Sequence, residues 1–130
     1  MIRQQFYVEN YWKVIVYYLS DYNFSDIIIN DFHDIFALDE DIKEIFSYLS
    51  SGKAKAVTYS NYELHVSIVV LGVHRYKEDF VNSIVHEAEH VKQAMLKVYK
   101  IEDKDEPPAY TVGYLVMMMY RVFKTLLCKS

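Results

Sequence analysis

The spacing of apolar residues changes period several times along these 130 residues, and each change marks an element. Tyr11 to Leu19 (YWKVIVYYL) is dense in aromatic and β-branched side chains and predicts a strand. Asp26-Ile27-Ile28-Ile29 fits a short strand or the end of a loop. Ile42, Ile45, Phe46 and Leu49 recur at helical spacing between Asp39 and Leu49. Asp39 or Asp41 lies near the start and Gly52 just beyond the end, so a short amphipathic helix is predicted. Lys53 to Tyr59 and Tyr62 to Leu71 then read as two strands joined by a Ser60-Asn61 turn. The period-two rule puts Tyr62, Leu64, Val66, Ile68 and Val70 on one face of the second, and Gly72 ends it.

A longer helical pattern follows, from about Phe80 into the region of Val98, with Asp79 as a plausible N-cap. Ile84, Ala88, Val91, Met95 and Val98 keep a 4-3-4-3 spacing and predict a buried seam. The charged stretch Glu102-Asp103-Lys104-Asp105-Glu106 leads to Pro107-Pro108, a favourable helix start because proline lacks an N–H that would have no partner there. Val112, Val116, Met119, Phe123 and Leu126 give the last helix, about Ala109 to Leu127, its own apolar stripe. The order of elements is that of an α+β chain: a small antiparallel or mixed sheet, a long helix and a closing C-terminal helix. Only three glycines and two prolines punctuate the chain and no linker divides it, so residues 1–130 are expected to form one domain.

Composition narrows the class. An apolar fraction of 52% is that of a globular protein. The net charge of −4 without a basic stripe argues against nucleic acid as a primary partner. Cys128 is the one cysteine, so no intramolecular disulfide can form. The first ten residues lack a signal-like apolar core, and Val14–Leu19 and Val112–Val122 are too short to span a bilayer; a cytoplasmic protein away from membranes is expected.

The candidate chemistry lies in His86-Glu87-Ala88-Glu89-His90, a match to H-E-x-x-H. On a helix, positions i and i+4 share a face, so two imidazoles reach one tetrahedral Zn²⁺ and the glutamate stands beside it as a base. With Ile84 at zero and about 100° per residue, His86 and His90 fall near 200° and 240°, away from the seam and on one side with Ser83, Gln93 and Lys97. That placement suits a helix whose back enters the core while its polar face lines a cleft. His33, His65 and His74 stand alone and read as structural, and Met117-Met118-Met119 as core or contact surface. The edge of the Tyr62–Leu71 strand offers a place for an extended peptide, although most such strands are simply sheet.

A strand hairpin, H-E-x-x-H on a helix and a glutamate at the next helix start together resemble a minimal zincin metallopeptidase of the glutamate-ligand branch. Ile84-Val85-His86 through Glu106-Pro107-Pro108-Ala109-Tyr110-Thr111-Val112-Gly113-Tyr114-Leu115 also resembles small phage- and prophage-encoded H-E-x-x-H proteins. The likeness covers roughly residues 55 to 120. It implies that His86, His90 and Glu106 are zinc ligands, that Glu87 is the general base, and that the protein cleaves a peptide bond with zinc-activated water. Tyr110 and Tyr114 are candidates to hydrogen-bond an oxyanion or the substrate. The alternative is a catalytically inactive scaffold of the same build, a phage-type accessory protein that binds a protein partner. The charged Glu89 and the small size favour this second reading.

Chain geometry sets a condition on Glu106. A motif helix unbroken to Lys100 would end about 15 Å beyond His90, too far for a residue six positions later to return easily to a bond of about 2 Å. Either the helix stops around Ala94 to Val98, or the third ligand is another residue, with Asp105, Tyr110, Tyr114 and His74 as the alternatives.

Overall fold

A computed structural model describes residues 1–100 and 106–128, with the side chains of all these except Glu106, Ala109, Leu127 and Cys128. The elements are β1 (Ile2–Val8), β2 (Trp12–Tyr18), α1 (Asp26–Asp34), α2 (Asp39–Ser50), β3 (Ala56–Asn61), β4 (Val66–Leu71), α3 (Lys77–Tyr99) and α4 (Glu106–Cys128). The four strands form one mixed sheet in the order β1-β2-β4-β3. β1 and β2 are antiparallel, β2 and β4 parallel, and β3 and β4 antiparallel. The α+β expectation and the mixed sheet both hold.

Alternation along β2 and β4 divides the interior into two layers, because successive side chains leave opposite faces of a strand. Trp12, Val14, Val16 and Tyr18 of β2, with Val69 and Leu71 of β4, pack beneath α3 and α4. Ile15 and Tyr17, with Val66, Ile68 and Val70, pack against α1 and α2. Buried on both faces, β2 and β4 are nearly continuous runs of apolar residues. Ser67 is the buried polar exception; it accepts from Trp12 Nε1 at 2.9 Å and bonds the Ser60 hydroxyl at 2.7 Å.

Two local expectations change, and one strand was not anticipated. Asp26–Ile29 opens a helix, because Ile28 and Phe32, four residues apart, are both wholly buried against the sheet. Met1–Asn10 contains β1, whose turn is closed by Glu9 and Asn10 at positive φ. The β3–β4 turn comes later than Ser60-Asn61. Ser60 bonds Ser67 across the pair and Asn61 Nδ2 donates to Ile35 O at 2.9 Å, so both stay in the strand. Tyr62 and Leu64 consequently sit exposed in the turn, while Val66, Ile68 and Val70 share the expected face.

α3 begins at Lys77, and its N-cap residue is Tyr76 without a side-chain cap; Asp79 lies inside the first turn, 3.4 Å from Lys55 Nζ. The seam holds: Ile84, Ala88, Val91 and Met95 are buried and Val98 is partly so. The helix runs unbroken to Tyr99 and stops at Lys100, whose left-handed φ of 55° sends its N–H to Leu96 O. α4 packs beside it through Leu115, Met119 and Phe123. Among the described residues no helix is long and apolar enough to cross a membrane.

Candidate metal centre

α3 lies over the β3 side of the sheet and presents three residues there in three different settings. His86 and His90 are exposed, whereas Glu87 is buried at 3%. The difference follows from helix geometry: Glu87 is turned about 100° from His86, from the solvent side toward β3. The two imidazole Nε2 atoms stand 3.1 Å apart. Two nitrogens bound to one tetrahedral zinc at about 2.0–2.1 Å would be separated by roughly 3.3 Å, so the pair is already close to chelating spacing. Holding a metal there requires both Nε2 atoms unprotonated, with each ring's hydrogen on Nδ1.

Glu87 Oε2 lies 4.0 Å from His86 Nε2, and its other oxygen, Oε1, accepts from Thr58 Oγ1 at 3.0 Å. Burial raises the Glu87 pKa above the ordinary carboxylate value, while the Thr58 hydrogen bond and the charges of His90 and His86 act in the opposite direction. A carboxylate whose proton affinity is increased beside two imidazoles at near-chelating spacing suits general-base work.

Thr58 escaped the reading of the sequence. Its one signal is the period-two run Ala56, Thr58, Ser60, which leaves small or polar side chains on the strand face that meets a helix. Thr58→Val is expected to destabilise the fold by about 1–2 kcal/mol at neutral pH by leaving a buried carboxylate oxygen without its donor, and Thr58→Ser should restore most of this. Urea unfolding measures it; equal midpoints for Val and Thr would show that the bond contributes nothing.

The remaining candidates lie apart from this group. Tyr110 and Tyr114 border a cavity of about 440 Å³ at the β1–β2 turn, with Tyr7, Val8, Glu9, Asn10 and Thr111. The Tyr114 hydroxyl donates to Tyr7 O at 3.4 Å. Neither tyrosine shares a cavity with His90, which opens onto one lined by Tyr62, Gln93, Ala94, Leu96, Lys97 and Lys100. Glu106 is the first residue of α4, but its side chain lies outside the described residues, as does the alternative ligand Asp105. The early end of the motif helix on which ligation by Glu106 depends is absent, since α3 continues to Tyr99. Pro107 and Pro108 line one cavity with Leu96 and Tyr99, which lie about 9–14 Å along the axis from His90. Among the described residues no three His, Cys, Asp or Glu side chains converge on one point. Glu89, the charged residue inside the motif, reaches Lys92 Nζ at 2.7 Å and Gln93 Nε2 at 3.0 Å along the helix.

Ser83 was expected beside the histidines on the polar face; instead it is buried against His74. His74 Nδ1 meets Gly72 O and Nε2 meets the Ser83 hydroxyl, both at 2.7 Å. These bonds suit a neutral ring that donates from Nδ1 and accepts at Nε2, and burial lowers the His74 pKa. The folded form therefore binds its proton less readily than the unfolded chain. The resulting stability is full above the unfolded value, about 6.5, and is lost as the pH falls below it. Between pH 7 and 5 the wild type should lose more stability than His74→Gln, as read by melting temperature; parallel curves would remove His74 from the pH response.

No family model, curated protein or solved structure matches this chain.

Proposed function

We propose that this chain is a small zinc-dependent metallopeptidase, similar in its motif to the glutamate-ligand zincins. One observation supports the reading above the rest: a buried carboxylate of raised pKa is held beside two solvent-facing imidazoles already spaced for one metal. His86 and His90 would hold the ion through Nε2. Zinc bound there supplies Lewis acidity toward water and toward a carbonyl oxygen.

The chain's own residues account for the proton. With Oε1 held by Thr58, Glu87 presents Oε2 toward the histidine side of α3. There it takes a proton from water as the water oxygen attacks the peptide carbonyl carbon. It returns that proton to the amine nitrogen as the C–N bond breaks. Thr58 keeps the carboxylate from rotating away between these transfers.

The inactive scaffold remains a second reading, favoured by the convergence of only two candidate ligands among the described residues. Cleavage separates the two. Zinc-loaded protein is incubated with a mixture of unstructured peptides and the products are read by mass spectrometry. Cleavage that stops with chelator, returns with zinc and is absent from Glu87→Gln is the expected result. Intact peptides under all conditions would leave the scaffold.

A further inference from the structure

We infer that the cleft beside His90 selects peptides carrying a carboxylate about three to five residues from the bond to be cleaved, recognised by Lys97 and Lys100. The assignment rests on the proposed function only in taking the histidine pair as the place of cleavage. Gln93, Lys97 and Lys100 continue the stripe of α3 that begins with His86 and His90, and Tyr62 of the β3–β4 turn forms the opposite wall. The cleft is open to solvent and has a volume of about 540 Å³, enough for several side chains of an extended segment.

The lining is cationic in an acidic protein. The chain has a net charge of −4, yet among the described residues no carboxylate lines this cleft. Lys55 and Lys92 each have an acidic partner, Asp79 and Glu89. Among the described residues neither Lys97 nor Lys100 is ion-paired. The Lys97 ammonium is steadied 5.1 Å from the centre of the Tyr62 ring, a cation–π contact that fixes its position and leaves N–H groups for an anion.

Spacing turns this charge into a position. Lys97 and Lys100 lie seven and ten residues beyond His90, about 10 and 15 Å along the helix axis. β3 runs alongside: Thr58 meets Glu87 near one end, and Tyr62, just past the other, meets Lys97. At about 3.3 Å per extended residue, a peptide lying along this cleft reaches the lysines about three to five residues from the histidines. A chain-end carboxylate and an aspartate or glutamate side chain offer the same chemistry there.

Binding tests this without turnover. Zinc-loaded Glu87→Gln protein is titrated against fluorescein-labelled alanine–serine octapeptides by fluorescence anisotropy at low salt. One series moves a single Asp or Asn along the peptide; another compares free-acid and amidated C-termini. A carboxylate peptide should bind about fivefold tighter than its neutral counterpart, two exposed ion pairs being worth that much together. The preference should vanish in Lys97→Gln/Lys100→Gln and shrink at about 0.5 M salt. A gain confined to the free-acid series assigns the chain end, and one confined to the Asp series a side chain; either supports selection by carboxylate. Equal affinities for charged and neutral peptides, no binding at all, or a preference that survives the double variant overturns it. Failure of the hydrolytic reading appears separately, as uncleaved peptide with wild-type protein.

Discussion

Zinc-loaded protein, dialysed free of excess metal, is expected to retain close to one zinc per chain, and His86→Ala or His90→Ala almost none. The two Nε2 atoms lie 3.1 Å apart on a continuous helix, so little reorganisation precedes binding by the pair. Removing either imidazole takes away the chelate, and one remaining histidine competes poorly with buffer. Both side chains are exposed, so their loss should change fold stability by no more than about 0.5 kcal/mol. Metal analysis alongside thermal melts therefore reads the site and not the fold. Full occupancy in the double alanine variant would place any metal elsewhere. Glu106→Gln belongs in the same experiment: lost zinc would bring the start of α4 onto the metal, and retained zinc would leave a two-histidine site completed by other donors.

The second large effect is expected at Glu87. Glu87→Gln should keep zinc and fold while slowing peptide cleavage by roughly 10²–10⁴, the usual worth of a positioned general base. Glutamine has the shape of the carboxylate, and its amide oxygen can accept the Thr58 hydrogen bond. Its oxygen is far too weak a base to take the proton from water. A variant that retained wild-type rates would remove Glu87 from the proton transfer, whatever its metal content. Thr58→Val should lower the rate less and leave zinc content unchanged, because it alters only how the carboxylate is held.

How far the sequence reached depended on how local each cause was. The seam Ile84–Ala88–Val91–Met95 and the outward face of His86 and His90 follow from 3.6 residues per turn, which a single segment encodes. α2 came from the same rule, with its apolar residues at helical spacing. Asp26–Ile29 read as a short strand or the end of a loop because three consecutive isoleucines show no helical spacing by themselves, yet it opens a helix. The choice came from Ile28 and Phe32 fitting the sheet face together. β1 was hidden by alternation that is only half apolar, as suits an edge strand whose other face bears Arg3, Gln5 and Tyr7.

By itself, then, the sequence determined the α+β class, the long helix, its buried seam and the two histidines on its open side, all products of periodicity within one segment. Tertiary structure decided what surrounds them. Glu87 is buried and held because β3 passes beneath it with Thr58 29 positions earlier in the chain. Ser83 turns inward because His74 waits there. Tyr62 faces Lys97 because Ser60 and Asn61 find partners that delay the turn. Tyr110 and Tyr114 lie at the β1–β2 turn and not beside His90, because α3 runs its full length to Tyr99 before α4 begins. Each is a contact between segments distant in sequence, and a local pattern holds no record of which distant residue will meet it.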